Sequence, residues 1–131
     1  SESTVPRENL AVRSLYLRLL RTRPVKFPLP GGRLDAPDTQ GVYLIYSPRG
    51  TVLHVGRTVR GKRGLRQRLR NHLHGRSSFV IRFLHGNPDR LRGSHAYAFV
   101  EVPDARRRAL LEAYATGHLC PKHLGVGEVA A

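Results

Sequence analysis

The sequence predicts an α+β fold, in which a small antiparallel sheet of three strands is flanked by helices. Three short stretches have the composition of strands, and four have the apolar periodicity or the caps of helices. The order helix, strand, strand, helix, helix, strand, helix lacks the regular alternation that a parallel sheet requires. The chain has 131 residues, 40% of them hydrophobic, which suffices for one domain.

The first helix is predicted over residues 6–22, where apolar side chains recur at helical spacing and Pro24 follows the end. Residues 24–40 contain four prolines and a Gly-Gly pair, which indicates an irregular surface connection. We therefore expect residues 1–36 to form an N-terminal helix and connection. Residues 37–131 are expected to form the compact domain.

The first two strands are predicted as a hairpin, GVYLIY and TVLHVG, on either side of the turn-forming SPRG. Each strand carries a residue that burial alone would not select, Tyr43 in the first and His54 in the second. Strand pairing is expected to bring both side chains onto one small surface. Because tyrosine favours strands, ordinary sheet packing is the alternative explanation for this pair.

A basic amphipathic helix is predicted over residues 64–74, with an apolar stripe among arginines. The residues of that stripe are Leu65, Leu69 and either His72 or Leu73. Arg68 lies near the stripe, so its guanidinium is a candidate for being held against a scissile phosphate.

Three further elements complete the prediction. Residues 77–85 are expected to form a short helix, although their apolar run also suits a strand. Residues 95–102 alternate as a strand, and a last helix follows. The residues predicted to begin or end these elements are Ser77 or Ser78, Pro103, Asp104 and Gly117.

The charge of the chain predicts a polyanionic partner. It has 23 Lys and Arg against nine Asp and Glu, a net charge of +14, which makes nucleic acid the expected partner. Cys120 is the only cysteine, and no apolar stretch approaches the roughly 20 residues of a membrane span. We expect an intracellular protein, cytoplasmic or nucleoid-associated, without a membrane partner. Because it begins with Ser1, the chain is expected to be processed or part of a longer protein.

The positive charge is concentrated in residues 57–76, which hold eight Lys or Arg and no acidic residue. A run of this kind usually forms a solvated face that binds phosphate backbone without reading base sequence. The side chains predicted to contact nucleic acid are Arg60, Lys62, Arg63, Arg66, Arg70 and Arg76.

Glu112 is a candidate metal ligand, because its neighbours on the last predicted helix are apolar. A carboxylate near apolar surface needs a partner, and in a phosphate-binding protein a divalent cation is a useful one. The alternative is an ion pair with Arg108, one helical turn earlier.

Two other motifs do not support a function. GRTVRGKR, residues 56–63, nearly matches a phosphate-binding loop, but Arg63 replaces the Ser or Thr that would hold magnesium, so no nucleotide cofactor is expected. His118, Cys120 and His123 surround a proline and have no matching half elsewhere. They make a poor zinc site.

Taken together, the motifs resemble the GIY-YIG nuclease superfamily over residues 41 to about 124. The resemblance rests on GVY at 41–43, HVG at 54–56, a Leu-x-x-Arg-Leu helix ending in a histidine, and a helix-borne glutamate before a proline. It implies a three-stranded antiparallel sheet with flanking helices, and it makes residues 37–131 a nuclease domain. It also implies an endonuclease that uses one divalent cation, Mg²⁺ or Mn²⁺.

The resemblance also implies roles for individual residues. The implied catalytic residues are Tyr43, His54, Arg57, Arg68, His72 and Glu112. Tyr43 matches a tyrosine that activates the attacking water, and Glu112 matches a glutamate that binds the divalent ion. His54 departs from the pattern, since the second half-motif normally begins with tyrosine; a histidine pKa of about 6.5 would suit a base at neutral pH. The asparagine that many members carry after the proline is also absent, with His123 or Leu124 nearby.

The leading hypothesis is a metal-dependent endonuclease that hydrolyses phosphodiester bonds in DNA, with RNA as the other substrate to test. Tyr43 or His54 takes a proton from water, Arg57 and Arg68 offset negative charge, and Glu112 holds the ion. The first alternative is a catalytically decayed module of the same fold that binds nucleic acid without cutting. The second is a basic RNA-associated protein of other ancestry.

Overall fold

The computed structural model describes residues 4–59 and 64–124. It contains three long helices, a four-stranded sheet and two short helical turns. In chain order these elements are α1 (Thr4–Arg21), β1 (Val25–Lys26), β2 (Gly41–Tyr46), β3 (Val52–Arg57), α2 (Gly64–Leu73), a π-helical turn (Phe79–Phe83), a 3₁₀ turn (Pro88–Leu91), β4 (Ala96–Glu101) and α3 (Ala105–Leu119).

The predicted α+β class is confirmed, but the predicted number of strands is wrong. The sheet is antiparallel, and its strands lie in the order β1, β4, β2, β3. The additional strand β1 lies inside the proline-rich connection, where Val25 pairs with Tyr97. A strand of two residues has no alternation that a sequence could reveal.

The central strand β2 separates two apolar cores. Tyr43 and Ile45 belong to a core that includes α2 and the π-helical turn. Val42 and Leu44 face the opposite core, which is formed with α1 and α3. Successive residues of a strand point to opposite faces, so one continuous apolar run supplies both cores.

The ends of α3 differ in how well the sequence predicted them. Asp104 is the N-cap, as predicted, because its carboxylate accepts a hydrogen bond of 2.8 Å from the backbone nitrogen of Arg107. The predicted stop at Gly117 is wrong, since the helix continues to Leu119. It ends where Cys120 adopts a left-handed conformation, with φ of 45°.

The segment after α2 also differs from an ordinary helix. It forms a π-helical turn with Ser78 at the N-cap position, but the side chain of Ser78 makes no capping hydrogen bond, and Ser77 supplies that contact. The Ser77 hydroxyl accepts a hydrogen bond of 3.1 Å from the backbone nitrogen of Val80.

In the part of the chain that the structure describes, no helix is both long and apolar enough to cross a membrane.

Candidate active site

A cleft of about 630 Å³ opens beside β3, α2 and α3. Four of the six predicted catalytic residues line it, and the other two lie behind its wall. The four lining residues are His54, Arg57, Arg68 and Glu112. The two residues behind, Tyr43 and His72, are fully buried. The structure therefore brings all six to one end of the molecule, in two layers.

The position of Tyr43 depends on a glycine in the neighbouring strand. Tyr43 pairs with Gly56 in the β2–β3 register. A Cβ atom at Gly56 would overlap the ring and hydroxyl of Tyr43. The last residue of the HVG motif is thus fixed by packing, because only glycine leaves room for the phenol.

A chain of three buried polar side chains lies behind the cleft. The hydroxyl of Tyr43 is 2.7 Å from Nε2 of His72, and Nδ1 of His72 is 2.7 Å from the hydroxyl of Ser77. The backbone nitrogen of Val80 donates to the same serine oxygen. Both nitrogens of His72 therefore have a partner, and its ring is fixed in orientation.

Burial keeps the two ionisable groups of this chain neutral. It raises the pKa of Tyr43 above its usual value, although the neighbouring Arg68 guanidinium opposes that shift. Burial lowers the pKa of His72 well below 6.5, and positive charge on His54 or Arg68 acts in the same direction. At neutral pH the phenol is protonated and the imidazole is uncharged, so His72 can accept the phenol proton.

Glu112 forms an ion pair with Arg57. The guanidinium Nε of Arg57 lies 2.8 Å from Oε1 of Glu112, and each side chain is about one third exposed, at 34% and 31%. The alternative pair with Arg108 is wrong, because that side chain is buried and donates to the backbone oxygens of four residues. Those residues are Thr58, Val59, Val102 and Pro103. Arg108 thereby ties the end of β3 to the start of α3, the helix that carries Glu112.

Glu112 is the one carboxylate that lines the cleft among the described residues. In the described residues, no three His, Cys, Asp or Glu side chains cluster in a way that could hold a metal ion. Magnesium does not require such a cluster, because it keeps several waters and is commonly held by one or two carboxylates together with substrate phosphates. Glu112 faces a charged, partly exposed cleft, so its surroundings fit a magnesium ion that arrives with a phosphate.

His54 does not have the ordinary pKa expected for it. Burial, with the nearby His123 and Arg68, lowers its pKa to about 3. Its ring stacks on Phe79 at 5.2 Å between centroids, and its buried Nδ1 has no hydrogen-bond partner among residues 4–59 and 64–124. This shift disfavours the expected role of His54 as a base near pH 6.5, because the charged form would be poorly solvated.

The segment after α3 supplies a further wall of the cleft. The backbone nitrogens of Lys122 and His123 donate to the carbonyls of Val52 and Leu53, at 3.4 and 2.8 Å. This pairing along the outer side of β3 sets the ring of His123 5.3 Å from that of His54. The zinc ligands considered above were His118, Cys120 and His123, all of which the structure describes. Among the described residues, no group of three or more His, Cys, Asp or Glu side chains could hold a metal ion.

Arg68 reaches the cleft from α2. Its side chain lines the cleft, and its Nε is buried without a hydrogen-bond partner in the described part of the chain. A buried guanidinium nitrogen that lacks a partner is costly unless an acceptor arrives. A phosphate oxygen in the cleft is an acceptor of the required charge.

The basic residues predicted to contact nucleic acid do not line the cleft, in so far as the structure describes them. Arg66 and Arg70 line a second, smaller pocket rather than the cleft, and Arg76 is exposed. Arg60, Lys62 and Arg63 lie outside the described residues.

Sequence reasoning missed a role for Ser77 beyond capping, because the contact with His72 depends on the turn that brings the two together.

Solved structures resemble this chain in fold and, more weakly, in sequence. The N-terminal GIY-YIG endonuclease domain of UvrC from Thermotoga maritima, bound to its catalytic divalent cation, magnesium, has a TM-score of 0.50 and 27% identity, covering 68% of this chain and 86% of that chain. A point mutant of that domain, bound to its catalytic divalent cation, gives the same values. No family model matches the chain, and no curated protein sequence matches it.

Proposed function

The chain has the fold of the GIY-YIG nuclease superfamily, and we propose that it is a metal-dependent endonuclease that hydrolyses phosphodiester bonds in DNA. The observation that carries this proposal is the two-layered site. Arg57, Arg68 and Glu112 line one cleft, and the buried pair of Tyr43 and His72 lies directly behind it. A site for DNA also suits a chain with a net charge of +14.

The buried chain supplies a path for a proton. Because burial raises its pKa, the Tyr43 phenol is protonated at neutral pH. It can take a proton from water only if another group accepts its own proton. His72 provides that acceptor at 2.7 Å, and Ser77 holds the other ring nitrogen. Tyr43 takes a proton from the attacking water as it passes its own proton to Nε2 of His72. In this scheme His54 is a neutral wall of the site rather than the base.

The two arginines of the cleft act on the phosphate. Arg68 offers a buried nitrogen that has no hydrogen-bond partner among the described residues, and Arg57 offers a side chain that is 34% exposed. Charge-assisted hydrogen bonds to phosphate oxygens orient the substrate and offset the negative charge that grows as the bond to phosphorus forms. The pair between Arg57 and Glu112 keeps both side chains extended toward the same part of the cleft.

Glu112 is the residue that would hold the divalent cation, together with the substrate phosphate. When bound, such an ion supplies Lewis-acid stabilisation of charge on the phosphate oxygens. Magnesium and manganese are the expected ions, since both favour oxygen ligands. In its ion pair with Arg57 the Glu112 side chain is still 31% exposed, so solvent and substrate can reach it.

A plasmid nicking assay tests the proposal. Supercoiled DNA is incubated with the protein in magnesium, in manganese and in EDTA, and the open-circular product is measured over time. We expect nicking with either ion and none in EDTA. Binding without any cleavage would instead favour the alternative, a decayed module that docks on DNA; the departures at His54 and after Pro121 motivate that alternative.

A further inference from the structure

We infer that a second pocket, on the other side of α2 from the cleft, binds a phosphate of the DNA backbone. The pocket has a volume of about 200 Å³, which is enough for one phosphate group but much smaller than the cleft. Its basic residues are Arg33, Arg66, Arg70, His74 and Arg92. Among the residues that the structure describes, no acidic residue lines it. The inference takes from the proposed function only that the partner is DNA.

Two of the arginines are held in place before any ligand arrives. Nε of Arg66 donates to the carbonyl of Ala36 at 2.9 Å, and Nη1 of Arg92 donates to the carbonyl of Pro28 at 3.4 Å. A guanidinium has five N–H donors, so each keeps several for a ligand. Binding a phosphate here therefore costs less side-chain entropy than binding to freely rotating surface arginines.

The acidic residues near the pocket neutralise it only weakly. Asp38 lies 3.6 Å from Arg66, and Asp89 lies 3.7 Å from Arg92. The two carboxylates are 54% and 83% exposed, and solvent screens exposed pairs at such distances. Arg33 and Arg70 form no ion pair with any residue that the structure describes, so the pocket keeps most of its positive charge.

The pocket is distinct from the cleft because α2 lies between them. Arg68 projects into the cleft, whereas Arg66 and Arg70, one helical turn apart, line the second pocket. The two sites are separated by on the order of 10 Å, the width of a helix. The second pocket therefore holds a phosphate other than the scissile one and fixes the register of the DNA on the protein.

Salt-dependent DNA binding tests this inference. Arg33→Gln with Arg70→Gln removes two charges without touching the anchored pair, and Arg18→Gln with Arg49→Gln removes two exposed charges that line neither site. The dissociation constant of a fluorescent duplex is measured against salt in EDTA, so that cleavage does not interfere. We expect the first double variant to lower the slope of log affinity against log salt by about 1 to 2, and the second to leave it nearly unchanged.

Equal slopes for the two double variants would overturn the inference, since the charge would then act as a general field. Inorganic phosphate provides a second readout by NMR of the arginine Nε–H groups. We expect Arg33 and Arg70 to shift with phosphate and to shift again with DNA. A saturable shift with phosphate but none with DNA would assign the pocket to a free anion and overturn the DNA contact. Neither measurement depends on cleavage, so a protein that binds but never cuts would refute the proposed activity and leave this site standing.

Discussion

The hydroxyl of Tyr43 lies 2.7 Å from Nε2 of His72, in the interior of the protein and immediately behind a cleft of charged side chains. Both groups are completely buried, and Tyr43 is also a member of the apolar core that includes α2. In the proposed mechanism, transfer of the Tyr43 proton therefore depends on the protonation state of the His72 imidazole.

Tyr43→Phe is expected to reduce the rate of nicking by about 10²-fold or more, because it removes a proton-transfer group. The affinity for DNA should change little, since no charge is lost. The matched control is Tyr97→Phe, which removes another tyrosine hydroxyl, one that donates to the carbonyl of Asp35 at 2.8 Å outside the site. Nicking by the Tyr43→Phe protein at the rate of the Tyr97→Phe protein would exclude Tyr43 from the reaction.

Ser77→Ala is expected to lower kcat by about 10-fold to 10²-fold with little change in KM, because His72 loses the partner that fixes its ring. Nitrogen NMR of His72 should show a changed tautomer or mobility in the same variant. Ser77→Thr retains the hydroxyl and should recover most of the rate. Ser94→Ala, which removes an exposed hydroxyl elsewhere, is the control. An unchanged tautomer together with a full rate would contradict this positioning role.

Glu112→Gln is expected to abolish cleavage while DNA affinity in EDTA stays the same or rises slightly, because one negative charge leaves a basic protein. Binding of Mn²⁺ in the presence of DNA, followed by electron paramagnetic resonance, should be lost as well. Glu101→Gln is the control, since that glutamate is exposed and bonds to Thr39 away from the cleft. If the Glu112→Gln protein still bound the ion and cut DNA, another group would have to be the ligand.

The buried histidines predict a loss of stability in acid. In the folded protein the pKa of His54 is about 3, and that of His72 is also well below 6.5. The unfolded state therefore binds more protons below about pH 6.5, so the free energy of unfolding falls as the pH drops. The expected slope is about 1.4 kcal/mol per pH unit for each histidine.

Urea denaturation at pH 7, 6 and 5 measures this effect. His54→Phe should reduce the pH dependence while keeping the stacking on Phe79. His74→Gln changes an exposed histidine and should leave the dependence as in the parent protein. A parent protein whose stability is flat from pH 7 to 5 would rule out neutral, buried histidines.

Gly56→Ala is expected to destabilise the protein by about 1 to 3 kcal/mol, because the added methyl group would overlap the Tyr43 ring. Gly117→Ala is the matched variant, and its expected effect on the free energy of unfolding has the opposite sign. Gly117 lies inside α3 with open space around its Cα, so alanine should stabilise the helix by about 0.5 to 1 kcal/mol. Thermal unfolding of both variants measures the difference, and an unaffected Gly56→Ala protein would contradict the packing argument.

The sequence was most informative where local rules act alone. Asp104 as an N-cap follows from the preference of an aspartate oxygen for free backbone N–H groups, and the β2–β3 hairpin follows from turn residues between apolar runs. The predicted helix end at Gly117 is wrong because a helix tolerates an interior glycine when the residues around it pack against the rest of the protein. The true end is set by the left-handed Cys120, a residue that seldom adopts this conformation.

The sequence named six side chains that lie near one another in the structure, but it did not predict their arrangement in two layers. Spacing and resemblance pointed to the six side chains, yet they could not reveal that Tyr43 and His72 are buried behind the cleft. Nor could they reveal that Arg57, 55 positions away in sequence, is the ionic partner of Glu112. Contacts between residues distant in sequence, and the pKa shifts that burial produces, depend on tertiary packing that periodicity does not encode.

The pairing of Lys122 and His123 with β3 has a consequence for how copies of the protein behave toward one another. An outermost strand with free N–H and C=O groups is a template on which another extended chain can assemble, leading to aggregates. Here the chain covers part of that strand with its own backbone, and His123, one of the two pairing residues, also lines the cleft. Access of substrate and resistance to aggregation therefore depend on the same short segment remaining docked.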